Sequence, residues 1–207
     1  MALAAPVLLP LTWKDTCPMA PLHLIACSST KAATPCAAKD LYDGHLFRLA
    51  REYVEAIGAP WRILSAKHGL VHPDTILAPY EQSLNDTTLV QKNEWAHGVA
   101  AQLEAEGLIS EDGQPLVVFL AGRNYRMFLE NLIAGRACCD VPMAGLGIGQ
   151  QKAWLIDAID QHYRDNPPPG TLAHARKELR DACRKLGDAV KADPLFQAAA
   201  RAVRMGA

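Results

Sequence analysis

Three short apolar runs, Leu22–Ala26, Trp61–Leu64 and Pro115–Ala121, each break directly into a polar turn. Runs this short and this apolar read as strands buried on both faces. The segments between them have helical spacing. Leu46, Phe47, Ala50, Tyr53, Val54 and Ile57 repeat on one face, and Gly58 follows where a C-cap glycine belongs. Residues 86–107 carry Val90, Trp95, Val99 and Leu103 near one face and end at Gly107. A helix through about Ile133 is expected after the third run, then a weaker strand near Asp140-Val141-Pro142. The glycine-rich turn 145–149 precedes a further helix from about Gln150 to Tyr163. Pro73 and Pro79 leave an irregular passage from Val71 to about Asn85. Strands alternating with helices predict an α/β fold, three layers α/β/α around a short, mostly parallel central sheet.

The domain organisation follows from the breakers. Residues 1–20, with three prolines, read as a loose arm, and 21–165 as the α/β domain. Asn166-Pro167-Pro168-Pro169-Gly170 is a linker, and 171–207 is a basic helical appendage, one helix or a pair broken near Pro194. Charge divides at the same place. The appendage holds eight Lys/Arg against four acids, a net +4, while the preceding 170 residues carry −5. Such a segregated end suits a polyanion, and equally a solvated helix face.

Six cysteines, none with C-x-x-C spacing, exclude the common zinc and thioredoxin patterns and read as reduced thiols of a cytoplasmic protein. Met1 to Trp13 lacks an early positive stretch and carries Pro6 and Pro10, unlike a signal peptide. No apolar run reaches a membrane span. Neither a metal nor a cofactor is expected. There is no P-loop, and the glycines at 145–149 follow no convincing dinucleotide strand.

In parallel sheets, sites lie at the carboxyl ends of the strands. The polar turns at 27–31, 65–69 and 122–126 all follow strands, so they should converge. Cys27-Ser28-Ser29-Thr30-Lys31 offers backbone N–H groups, hydroxyls and an ammonium to an anion or a base edge, and also fits an ordinary helix cap. Ser65-Ala66-Lys67-His68-Gly69 adds a second ammonium and an imidazole suited to acid–base work. Pro79-Tyr80-Glu81 sets an aromatic beside a carboxylate. Gly122-Arg123-Asn124-Tyr125-Arg126 supplies close approach, an amide, a ring and two guanidiniums.

Leu24-Ile25-Ala26-Cys27-Ser28-x-x-Lys31, Asp40-Leu41-Tyr42 with Phe47, Ile63 through Val71, Pro79-Tyr80-Glu81 and Ala121-Gly122-x-x-Tyr125-Arg126 resemble a bacterial and phage family of formerly uncharacterised domains. The resemblance covers roughly residues 21–163. It implies a fold like that of uracil-DNA glycosylases. Members include an anti-phage DNA glycosylase that removes glucosylated hydroxymethylcytosine. The Gly-Gln-Asp-Pro-Tyr and His-Pro-Ser motifs of uracil-DNA glycosylases are missing, and His72-Pro73-Asp74 only echoes the second.

The resemblance implies a DNA glycosylase that flips a modified base of phage DNA into the strand-end site and leaves an abasic site. An oxocarbenium-like transition state calls for a carboxylate: Glu81 first, then Asp40, Asp43 and Asp74. Lys67 is a further catalytic candidate. Tyr42, Tyr80 or Tyr125 would stack the base and Asn124 would read its edge. Cys27, Ser28, Ser65 and His68 would cradle the nucleotide. Lys31, Lys67, Arg123 and Arg126 would hold phosphates or sugar hydroxyls. Two alternatives stand beside this. One is a non-catalytic module that senses modified nucleic acid. The other is a nucleoside-level hydrolase or transferase of modified-base metabolism.

Overall fold

A computed structural model of the chain describes residues 20–194. The arm expected over 1–20 lies outside them but for Ala20, as do residues 195–207 of the appendage. The chain divides into two compact units between Ile159 and Asp160. The first runs β1 (Leu22–Ala26), β2 (Cys36–Ala37), α1 (Ala38–Leu41), α2 (His45–Ala56), β3 (Trp61–Ser65), β4 (Gly69–Val71) and β5 (Ile76–Leu77). A single 3-10 turn, Leu84–Asp86, then leads to α3 (Leu89–Ala105), β6 (Leu116–Leu120), α4 (Arg123–Arg126), α5 (Leu129–Ile133), β7 (Cys138–Asp140) and α6 (Ile148–Asp165), within which the division falls.

The fold is mixed α/β with a mostly parallel central sheet in the order β4-β3-β1-β6-β7. β3, β1, β6 and β7 run parallel, and only β4 is antiparallel. β1 is central, with Ile25 opposite Ile63 on one side and Leu120 on the other. Alternate residues feed opposite faces, as the pleat requires. Ile25, Ile63, Val118 and Leu120 pack with Phe47, Ala50 and Val54 of α2 and Leu155 of α6. Leu22, Leu24, Leu64, Val117 and Phe119 pack with Val99 and Leu103 of α3 and Leu129 and Ile133 of α5. Each such buried Val, Leu, Ile or Phe side chain contributes about 1.5–3 kcal/mol of transfer free energy. The short apolar runs are therefore strands covered on both sides.

Several elements differ from expectation. Residues 69–71 are a strand that turns back on β3, pairing Ser65 with Gly69. Gly69 has φ +70, and a Cβ there would collide with the Gln102 side chain. Gln102 Oε1 instead accepts the Leu70 N–H at 2.7 Å. β2 and β5, two residues each, form a separate antiparallel pair. α3 begins at Leu89 because Thr88 and Gln91 form a capping box, and Val90 is exposed rather than packed. The strand expected at Asp140–Pro142 lies at Cys138–Asp140, since Pro142 has no N–H to give a ladder.

In the second unit α7 (Leu172–Ala192) is one continuous helix, and the Thr171 side chain caps it by accepting the His174 N–H. Leu179, Leu186 and Val190 are exposed along it. No helix among the described residues is long and apolar enough to cross a membrane.

Candidate functional site

The strand order creates a crevice. The chain leaves β1 for β3 on one side, and β6 flanks β1 on the other. At such a reversal the loops after neighbouring strands diverge, and ligands enter between them. A cleft of about 430 Å³ opens there, lined by Ile25–Ser29 after β1 and Leu120–Tyr125 after β6. Phe47 and Ala50 of α2 give it an apolar wall, and Asn85 and Gln151 add amides.

The loop after β1 is held from below. Ser28 Oγ donates to Thr30 O at 2.6 Å and accepts the Gly44 N–H at 3.0 Å. Lys31 makes a β-bridge with Tyr42, and the Asp43 N–H donates to Thr30 O at 3.0 Å. The Ser28 hydroxyl is thus committed to the loop itself. Gly44 is demanded by this contact, because a Cβ there would sit 2.6 Å from Ser28 Cβ. Gly44→Ala should therefore cost about 1–3 kcal/mol and displace the 27–31 loop, which thermal unfolding would register. An unchanged melting temperature would mean the loop yields freely.

Beside the cleft, tyrosines tie the strand ends together. Cys27 Sγ lies 3.3 Å from Tyr125 OH. Tyr125 meets Trp95 edge-on at 5.6 Å, and Trp95 Nε1 donates to Ser65 O at 2.9 Å. Tyr42 packs on the cleft residue Phe47, and its hydroxyl lies 3.0 Å from Tyr80 OH. Tyr80 OH also reaches Ser65 Oγ at 2.7 Å, and that oxygen accepts the His68 N–H at 3.0 Å. The ammonium groups of Lys31 and Lys67 lie 4.5 and 5.5 Å from the centre of the Tyr80 ring.

Burial, reinforced by the Cys27 sulfur, raises the Tyr80 and Tyr125 hydroxyls above the ordinary phenol range. Burial raises Tyr42 likewise. All three are neutral donors at pH 7. Burial and then Lys67 lower the His68 imidazole, so it too is neutral there.

The expected site residues separate into three groups. Cys27, Ser28, Arg123, Asn124 and Tyr125 line the cleft. Lys31, Tyr42, Ser65, Lys67, His68 and Tyr80 form the adjoining network. Tyr42 and Tyr80 are buried, at 1% and 7% exposure, and serve the network rather than offering an open face. The remaining candidates lie outside the cleft lining. Asp40 is paired with Arg51, Asp43 with Arg48, Asp74 with Lys39, and Arg126 with Glu130. Lys39 holds the Asp74 carboxyl below its usual range. Glu81 is exposed. Among the described residues no Asp or Glu lines the cleft, and no cluster of three metal-binding side chains occurs.

Asn85 and Gln151 are cleft residues that the sequence motifs do not announce. Asn85 stands in the 3-10 turn anchored by buried Leu84, and accepts from Asn124 Nδ2 at 2.8 Å. That pairing leaves Asn124 Oδ1 and Asn85 Nδ2 as one acceptor and one donor at the cleft. Gln151 follows the glycine-rich turn after β7. The signal that could have found it is that turn's place at the same carboxyl edge.

Residues 22–157, β1 through most of α6, match a family of unknown function, DUF6884. No curated protein and no solved structure matches the chain.

Proposed function

The chain belongs to the DUF6884 family, and we propose that this member is a DNA glycosylase with a uracil-DNA-glycosylase-like fold. In this reading a modified nucleotide, best glucosylated hydroxymethylcytosine of phage DNA, is flipped into the cleft between the ends of β1 and β6. The observation that carries the reading is the cleft itself. At about 430 Å³ it falls in the usual range for small-ligand sites. It offers the Asn85–Asn124 amide pair to a base edge, a neutral phenol from Tyr125 and a guanidinium from Arg123. These suit a nucleotide better than an apolar ligand.

The C1′–N bond breaks with its electron pair going to the base. Water adds to C1′, and its proton passes to a carboxylate and on to the departing base. Glu81 is the carboxylate proposed for the water. It forms no ion pair among the described residues and follows Tyr80 directly, and in this reading the exposed stretch ahead of the anchored 3-10 turn brings it towards the bound nucleotide. A second reading is a non-catalytic module that senses modified DNA. It is favoured by one specific feature, the missing carboxylate in the cleft lining.

Incubation with glucosylated phage DNA and with unmodified DNA separates the two. The glycosylase should release the modified base, seen by mass spectrometry, and leave abasic sites in the first DNA only. Glu81→Gln should slow release by about 10²–10⁴-fold while DNA binding persists. Binding without release from any modified genome would remove the glycosylase reading and leave the sensor.

A further inference from the structure

We infer that Lys31, Lys67 and Arg123 form a phosphate track across the carboxyl edge of the sheet, so that the ligand is a nucleic-acid strand rather than a free nucleotide. This rests on the reading that the cleft takes a nucleotide. It also chooses between polymer and monomer, which the cleft alone does not.

Most basic side chains of the first unit are neutralised. Lys39 pairs with Asp74, Arg48 with Asp43, Arg51 with Asp40 and Glu55, Arg62 with Glu106, Arg126 with Glu130 and Arg136 with Glu104. Lys92 is buried, with its ammonium on Thr87 O. Among the described residues 20–159, the cations that remain without a carboxylate partner are Lys31, Lys67, Arg123 and Lys152. Lys31 and Lys67 stand in the loops after β1 and β3, and Arg123 opens α4 just after β6; the three strands are adjacent.

Adjacent strands are about 4.8 Å apart, so these loops spread over roughly 10 Å. Across the edge the strands that carry Lys67, Lys31 and Arg123 follow in the order β3, β1, β6, with the cleft between the ends of β1 and β6 and Arg123 in its lining. A strand laid along that line has cationic contacts on both sides of the nucleotide in the cleft. Lys31 and Lys67 are also held. Both ammonium groups share the Tyr80 ring, and Lys31 donates to Ser29 O at 3.1 Å. Two like charges fixed near one ring, neither in an ion pair among the described residues, are arranged for an external anion. A mononucleotide brings its phosphate to one place. A cation pair on one side of the cleft and Arg123 on the other need successive phosphates.

The test is binding of an unmodified, fluorescein-labelled single-stranded oligonucleotide followed by anisotropy across a salt series. Each phosphate contact contributes about 0.7 to the slope of log affinity against log salt on a single strand. Lys31→Gln/Lys67→Gln/Arg123→Gln should flatten the slope by about 2, so a tenfold rise in salt costs the wild type roughly 100-fold more affinity than the variant. Arg62→Gln, whose guanidinium is paired with Glu106, should leave the slope unchanged. An unlabelled mononucleotide should fail to compete where the unlabelled oligonucleotide does.

An unchanged slope in the triple variant, no binding by the wild type, or equal competition by the mononucleotide would each overturn the inference. Should the triple variant fold poorly, each single substitution should take about a third of the change; none doing so also overturns it. Base release is scored separately, so a failed glycosylase assay leaves this result standing, and a failed salt series leaves that one.

Discussion

Between about pH 6.5 and pH 4 the first unit is expected to lose about 3 kcal/mol of stability through one residue, His23. This histidine lies on the central strand and is 3% exposed. Nδ1 donates to Pro21 O at 3.1 Å, so a second proton has to go on Nε2. The ring meets Tyr53 edge-on at 6.1 Å. Burial lowers its pKa from 6.5 to about 4, against smaller opposing contributions from the Pro21 and Pro60 backbone. An unfolded histidine takes a proton near pH 6.5, and the folded one only near pH 4. In that window the unfolded chain binds more protons, so stability falls as pH falls. His23→Phe keeps a ring beside Tyr53 and cannot titrate. The difference in unfolding free energy between wild type and variant, from urea titrations, should change by about 1.4 kcal/mol per pH unit across the window. Parallel curves would take His23 out of the acid response.

The same central strand shows why much of the fold was legible in the sequence. Leu22-His23-Leu24-Ile25-Ala26 carries one polar side chain among four apolar ones, too few for a solvated face, so it had to be covered on both sides. The strand-end rule then brought 27–31 and 122–126 to one edge, where Cys27–Ser29 and Gly122–Tyr125 line a cleft. The three-residue β4 and the two-residue β2 and β5 were not legible, because a period of two needs more residues than these have. Charge partners were not legible either. Asp40 and Asp43 looked like carboxylates available for chemistry, yet Arg51 and Arg48 of α2 reach back to them. Sequence gives the charges but not which helix face returns to which loop. Tyr80 is the clearest case. Next to Glu81 on a proline-rich passage it looked like a stacking surface. Its neighbours are far away in sequence, at Lys31, Tyr42 and Ser65, and only the folded chain makes it a tie between loops.

That role makes Tyr80 the position where one side chain should cost most near the site. Its hydroxyl joins Tyr42 OH and Ser65 Oγ, and its ring meets His68 edge-on at 5.2 Å beneath the two lysines. Tyr80→Ala should cost about 3–5 kcal/mol, by analogy with buried aromatic truncations, and untie the loops after β1 and β3 together. Tyr80→Phe keeps the packing and the face beneath the ammonium groups. It leaves two buried hydroxyls short of a partner, for about 1–3 kcal/mol. Calorimetry should find both variants less stable in that order, at about 2–4 °C per kcal/mol for a chain of this size. The decisive comparison is a double-mutant cycle with Ser65→Ala. If the Tyr80–Ser65 hydrogen bond carries the cost, Tyr80→Phe and Ser65→Ala should be less than additive by about 0.5 kcal/mol or more. Full additivity would mean the two hydroxyls are stabilised independently, and the tie between the 65–69 loop and the cleft would have to come from ring packing alone.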